Sequence, residues 1–206
     1  FQLKKKYEFT IIEDCCHALG GFYKSSKIGS CEFSDMSTFS FHPVKIITSG
    51  EGGMALVNDQ KLAWKMRMLR SHGVTRDKTR LKNESQGPWY YEQQDLGFNY
   101  RMTDILAALG LSQFARLGEF VEKRNELANR YNNLLKNLPL QLPTVTSENR
   151  SSYHLYVIRL HTKKDPKKHC KVIKELLHAG IGVNVHYMPV YLQPYFRSIG
   201  FQEGHC

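Results

Sequence analysis

Three short runs in this sequence hold residue types that could share one reaction: Glu13-Asp14-Cys15-Cys16-His17-Ala18-Leu19-Gly20, Ser40-Phe41-His42-Pro43-Val44-Lys45 and Gly50-Glu51-Gly52-Gly53. An amine such as that of Lys45 condenses with a carbonyl. A carboxylate such as Asp14 holds a proton on a basic nitrogen, and a hydroxyl such as that of Ser40 donates to a phosphate. Singly, each run is ordinary. Strands commonly end in Asp, a lysine after a proline usually sits on the surface, and a glycine pair before a strand is usually a turn.

Together the three runs meet the needs of pyridoxal phosphate. That cofactor takes a lysine amine on its aldehyde and a carboxylate that keeps its pyridine nitrogen protonated, so that the ring accepts electrons. Its phosphate requires hydroxyl and amide donors. Asp14 offers the carboxylate, Lys45 the amine, and Ser40 a phosphate donor from the turn that presents the lysine.

The elements that must position these residues follow from hydrophobic spacing. Residues 9–12 form a β-branched run that predicts a buried strand, with Glu13 and Asp14 at its C-terminal end. Residues 37–41 alternate polar and aromatic side chains and predict a second strand, and residues 53–57 predict a third. Asn58-Asp59 opens a helix with Leu62, Met66 and Leu69 on one face, closed by Gly73. Residues 74–98 are polar and rich in turn formers. They read as one long loop, a kind that usually serves function or an interface. Thr103 caps a helix through Ile105, Ala108, Leu109 and Leu111. A longer helix then carries Leu117, Phe120, Val121, Leu127, Tyr131, Leu134 and Leu138 on one face, and Pro139 and Pro143 end it. Residues 153–160 predict a strand. Asp165-Pro166 starts a helix with Cys170, Ile173, Leu176 and Leu177 inward and Gly180 at its end, and residues 181–187 predict another strand. The pattern is α/β throughout, with a smaller strand–helix–strand unit at the end. Neither end reads as a domain edge, so the chain is expected to be an interior fragment of a longer protein.

Composition narrows the class. The 206 residues are 41% hydrophobic and 23% charged, enough for a core and too evenly spread for disorder. No apolar stretch is long enough to cross a bilayer, and no signal-peptide core follows Lys4, Lys5 and Lys6, so a soluble cytoplasmic protein is expected. The net charge of +10, with further runs at Lys163-Lys164 and Lys167-Lys168, suits anionic partners or a solvated basic surface. No nucleic-acid-binding motif accompanies it, and neither nucleic acid nor membrane is expected as a partner. The five cysteines, Cys15, Cys16, Cys31, Cys170 and Cys206, are odd in number and unspaced for a disulfide framework. Cys15-Cys16-His17 with Cys31 lacks the C-x-x-C clamp of a structural zinc site, so no metal is expected.

The runs above, with Thr48-Ser49-Gly50-Glu51-Gly52-Gly53, Arg70-Ser71-His72-Gly73, Gly97-Phe98-Asn99-Tyr100-Arg101-Met102 and Val185-His186-Tyr187-Met188-Pro189, occur in the order of the nucleotide-sugar aminotransferases of the DegT/DnrJ/EryC/StrS type, which the chain resembles over essentially its whole length. The resemblance is greatest to the branch of UDP-4-amino-4,6-dideoxy-sugar transaminases of pseudaminic acid synthesis, whose 4-amino sugar is the product. It implies a fragment of a fold-type I enzyme dependent on pyridoxal 5'-phosphate, with a mixed, mostly parallel sheet flanked by helices and a smaller C-terminal α/β domain. Residues 1–117 would be the C-terminal part of the large cofactor-binding domain, and residues 118–206 a truncated small domain.

The resemblance implies that Lys45 is the Schiff-base lysine, that Asp14 partners the pyridine nitrogen and that His17 lies beside the ring hydroxyl. Ser40 would bind the phosphate. Asn99 would reach the phosphate of a neighbouring subunit's cofactor, making the enzyme a homodimer. Asn184, Val185, His186 and Tyr187 would lie against the sugar nucleotide. His17 could instead satisfy a strand end, and His186 and Tyr187 could be ordinary packing. Cys15-Cys16 stands where the family more usually has Ala-Ala. The family's glycine-rich phosphate loop and ring-stacking aromatic would lie upstream of residue 1.

The implied reaction moves an amino group from glutamate to a keto group of a UDP-linked deoxysugar in bacterial surface-sugar synthesis. Rival readings are a dehydratase of the same fold, which replaces the lysine by histidine, a non-catalytic homologue, and a basic nucleic-acid-binding module. Lys45 speaks against the first, and the set Asp14, Ser40 and Lys45 against the others.

Overall fold

The computed structural model describes residues 2–161 and 165–205. Lys163, Lys164 and Cys206, named above for charge and thiol content, lie outside the described residues. Helix α1 (Gln2–Tyr7) precedes strands β1 (Ile12–Asp14), β2 (Phe22–Tyr23), β3 (Ser26–Lys27), β4 (Met36–Ser40) and β5 (Gly53–Val57). Helix α2 (Gln60–Leu69), strand β6 (Val74–Thr75), a 3₁₀ turn at Lys78–Arg80 and strand β7 (Glu92–Gln93) follow, then helices α3 (Asp104–Phe114) and α4 (Leu117–Leu135). Strands β8 (Leu140–Gln141), β9 (Asn149–Arg150) and β10 (Arg159–Leu160) lead to helix α5 (Pro166–His178), a 3₁₀ turn at Val190–Leu192 and helix α6 (Pro194–Ser198).

The central sheet has the order β1-β4-β5. β1 runs parallel to β4, with Asp14 opposite Thr38, and β5 returns antiparallel, with Gly53 opposite Ser40. Alternation along β4 sends Ser37 and Phe39 inward, where Phe39 joins Cys15, Phe41 and Ile47 in a buried cluster. Leu19, Ile28, Leu56, Met102, Leu117 and Phe120 pack around that cluster. Each large apolar side chain buried there contributes on the order of 2 kcal/mol.

The first strand forms later than residues 9–12. Only Ile12–Asp14 pair with β4, while Ile11 accepts from the amides of Asp35 and Met36. Among the described residues no strand pairs with β1 on its other side, and Ile12 and Phe9 are exposed instead of buried. Caps occur where the sequence places them: Asp59 accepts from the Leu62 amide at 2.7 Å, Thr103 from Leu106 and Asp165 from Lys167.

Two expected strands are largely absent. Of residues 153–160, only Arg159–Leu160 enter a ladder, against β8. The carbonyls of Tyr153 and His154 accept from the Arg124 guanidinium and the Tyr156 hydroxyl donates to Asn132, so α4 occupies the groups a neighbouring strand would need. Residues 181–187 enter no ladder among the described residues. In α5, Ile173 and Leu176 are half-buried, but Cys170 and Leu177, expected inward, are exposed. Among the described residues no helix is long and apolar enough to cross a membrane.

The chain forms two compact units, Phe1–Leu138 with Leu142–Ile158, and Pro139–Gln141 with Arg159–Cys206. This packing division differs from one at 117/118, because α4 lies on the first unit's core through Leu117 and Phe120.

Candidate active site

Asp14 and Ser40 end the parallel strands β1 and β4, so both are delivered to the C-terminal edge of the sheet, where open α/β folds place ligands. Beyond Ser40 the chain runs through residues 41–52 before β5 returns. Phe41 anchors this turn: its amide donates to the Gly52 carbonyl at 2.8 Å, and its carbonyl accepts the Ser49 amide and the Thr48 hydroxyl, each at 3.0 Å. Ile46 and Ile47 are buried, while His42, Pro43 and Val44 are exposed. Lys45, half-buried, lies between these two sets, and its amide donates to the His42 carbonyl at 2.9 Å.

The electrostatics link the two strand ends. Asp14's carboxyl is held below the usual carboxylate range. The Cys16 thiol contributes most, then the Cys16 amide at 3.1 Å, with the charges of His17 and Lys45 adding against partial burial. Asp14 therefore stays ionised, with the Lys45 charge among the groups that favour this state. Burial and the neighbouring Asp14 push the Cys16 thiol up, and burial with the Glu13 and Asp14 charges pushes Cys15 up to about 11, so neither is a ready nucleophile. Cys31 bonds Ser37 and the Leu56 carbonyl inside the fold. Among the described residues no cluster of three His, Cys, Asp or Glu side chains is arranged to hold a metal.

The remaining sequence candidates divide into three groups. Ser40 Oγ accepts the His42 amide at 3.3 Å, which leaves the hydroxyl proton for another acceptor. His17 is exposed at the end of β1, with its ring 4.3 Å from that of His154 and its carbonyl accepting from Ser152. Asn99 is exposed. Its segment is fixed by backbone bonds from His72 to Phe98, Phe98 to Leu69 and Tyr100 to Arg70. That crossing needs glycine twice: a Cβ on Gly73, whose φ is +69°, would fall 1.8 Å from the Asp95 carbonyl oxygen, and one on Gly97 would fall 2.1 Å from the Gly73 nitrogen. Asn184, Val185, His186 and Tyr187 belong to the second unit, where all four are exposed and the His186 and Tyr187 rings stack at 4.1 Å.

Three contributors escaped sequence reasoning. The Cys16 thiol on Asp14 and the Thr48 hydroxyl on Phe41 lie inside runs already singled out, but their direction depends on the turn. His154 had no local signal at all, since it meets His17 only through tertiary packing.

The model of the DegT/DnrJ/EryC1/StrS aminotransferase family matches residues 2–205. The UDP-4-amino-4,6-dideoxy-N-acetyl-beta-L-altrosamine transaminase of Campylobacter jejuni is 40% identical over 201 residues, which are 96% of this chain and 50% of that protein. Helicobacter pylori PseC, an aminotransferase involved in the biosynthesis of pseudoaminic acid, superposes with a TM-score of 0.83 at 34% identity, over 97% of this chain and 51% of its own. A Streptococcus pneumoniae protein assigned as a sugar aminotransferase, solved in PLP, PMP and apo forms, gives a TM-score of 0.82 at 31% identity, over 97% of this chain and 49% of its own. The chain thus spans about half the length of the relatives it matches. It has the α/β fold of these aminotransferases, as the motifs imply, and it belongs to the DegT/DnrJ/EryC1/StrS aminotransferase family of pyridoxal-phosphate enzymes.

Proposed function

We propose that the protein carrying this chain transfers an amino group from glutamate to a keto group of a UDP-linked deoxysugar, with Lys45 as the lysine that binds the cofactor. The observation that carries the reading is the gathering of an ionised carboxylate, an amine and an uncommitted hydroxyl at one end of parallel strands: Asp14, Lys45 and Ser40. That donor set fits pyridoxal phosphate. When bound, the cofactor supplies an electron sink for the carbon that loses its proton.

The chain's residues then have distinct tasks. Asp14, kept ionised by Cys16, would hold the proton on the pyridine nitrogen. Ser40 would donate its hydroxyl to the phosphate, and His17 would stand beside the ring hydroxyl. Lys45 Nζ removes the proton from the donor's α-carbon. Asn99 serves the cofactor phosphate of a second subunit in a homodimer, which the exposed Leu96, Phe98 and Tyr100 around it support as a surface that calls for cover. Asn184, Val185, His186 and Tyr187 lie against the sugar nucleotide, with the His186–Tyr187 stack as a flat apolar surface. The division expected of the whole enzyme is a large domain ending near residue 117 and a small one from residue 118.

The net charge of +10 favours a pyrophosphate-bearing substrate. The names of the Campylobacter and Helicobacter relatives support a pseudaminic-acid type of sugar. The free thiols Cys15, Cys16, Cys31 and Cys170 support a reducing compartment, the cytoplasm.

Borohydride reduction of the full-length holoenzyme, followed by peptide mapping, tests the assignment. The cofactor should be fixed to Lys45, and Lys45→Ala should abolish transamination. A label on another lysine overturns it.

A further inference from the structure

The turn over residues 41–52 holds a hydroxyl whose two bonds span it. Thr48 Oγ1 donates to the Phe41 carbonyl at 3.0 Å and accepts the Gly50 amide at 2.8 Å. Phe41 is buried in the core cluster and continues β4, while Gly50 opens the return toward β5. The neighbouring Ser49 amide also donates to the Phe41 carbonyl, at 3.0 Å, while its hydroxyl stays local on the Glu51 carbonyl at 2.8 Å. Between Phe41 and Thr48, the backbone of the lysine turn is held by the His42 amide on Ser40 Oγ at 3.3 Å, the Lys45 amide on the His42 carbonyl at 2.9 Å and the Val44 amide on His42 Nδ1 at 3.5 Å.

We infer that Thr48 is a positioning residue for Lys45, its hydroxyl working with the Ser49 amide to fix the turn that presents the amine. This rests on the reading of Lys45 given above. Without the hydroxyl, the Gly50 amide and one lone pair of the Phe41 carbonyl lose their partners in a half-buried place, and the turn relaxes to recover them from water. Lys45 moves with it. An amine displaced by about 1 Å from its reacting geometry loses roughly a hundredfold in rate, whereas substrate contacts made elsewhere are untouched. The Thr48 hydroxyl bonds Phe41 and Gly50 and not Lys45, so its effect passes through the turn.

The test compares Thr48→Val, which keeps the shape, with Thr48→Ser, which keeps the hydroxyl, in the full-length enzyme. Thr48→Val should lower kcat by about ten- to a hundredfold with KM for the sugar nucleotide within about twofold, and Thr48→Ser should restore most of the rate. In cofactor-free enzyme, reductive methylation of Lys45 by formaldehyde and borohydride, followed by peptide mass spectrometry, should change its rate in the valine variant and not in the serine one. If the valine variant does not fold, Thr48→Ala leaves space in place of the hydroxyl and gives the same reading. Wild-type turnover in Thr48→Val overturns the inference. So does a loss shared equally by valine and serine with Lys45 methylation unchanged, which would make Thr48 a packing residue only. Should the cofactor map to another lysine in the wild-type enzyme, the Lys45 reading falls first and takes this one with it.

Discussion

Two irregular connections carry candidate residues in the first unit, and they are held in opposite ways. Residues 41–52, which carry Lys45, are tied chiefly by groups that do not ionise: backbone amides, the Thr48 hydroxyl and the buried side chains of Ile46 and Ile47, beside the longer bond of the Val44 amide to His42 Nδ1. Residues 74–98, which lead to Asn99, fold around a charge. The buried Glu92 carboxylate accepts from the amides of Lys82 and Asn83, from the Asn83 and Gln94 side chains and from the Tyr90 hydroxyl. The Lys82 amide and the Gln94 side chain, followed by Asn83, drive its pKa down to about 2. Neutral bonds keep their geometry as pH changes. A carboxylate hub gathers more donors at one point but makes its loop depend on ionisation.

The largest effect should come from breaking the second connection at its base. Gly73→Ala adds a Cβ against the Asp95 carbonyl at a positive φ, and should destabilise the protein by about 3 kcal/mol or more. Urea unfolding of the full-length enzyme measures this, and an unchanged midpoint would show that the crossing of residues 69–73 with 97–100 is loose.

Asp14→Asn should separate chemistry from scaffold. It retains an acceptor for the Cys16 amide, so the unfolding midpoint should hold while kcat falls by about a hundredfold or more. Near-normal turnover would reduce Asp14 to a strand-end carboxylate.

The smallest effect is a pH slope. Glu92's folded pKa lies below its ordinary value of 4.5, so its contribution is fully present above pH 4.5 and is lost as pH falls from there toward 2. Melting curves across that window should steepen the acid loss in the wild type and show a shallower slope in Glu92→Gln. Equal slopes would remove Glu92 as the hub.

Much of this arrangement was legible in the sequence, because local rules govern it. The alternation over residues 37–41 and the caps at Asp59, Thr103 and Asp165 depend on near neighbours, whereas Asp14 and Ser40 share one sheet end through the β1–β4 pairing. Residues 153–160 and 181–187 misled for a physical reason. β-branched and aromatic spacing reports that a segment suits a strand, and says nothing of whether another strand offers its amides and carbonyls. The carbonyls of Tyr153 and His154 went to Arg124, a partner no window of sequence could reveal. For the same reason the turn chemistry of Cys16 and Thr48 was hidden in runs whose side-chain directions only the folded backbone sets. The long loop's order was missed because it depends on Glu92, whose donors come from residues 82, 83, 90 and 94 together.

Strand β9 also sets a schedule. β2 pairs Phe22 with Arg150, and just beyond it the Ser152 hydroxyl reaches the His17 carbonyl, a partner 135 positions earlier in the chain. Closing so long a loop is entropically costly and slow compared with forming α2 or the β4–β5 pair, whose contacts are local. On a ribosome, the backing behind His17 cannot exist until synthesis has passed residue 152. The sheet that carries Asp14 and Ser40 can therefore assemble first, and the histidine beside it takes its final place only when this late segment arrives.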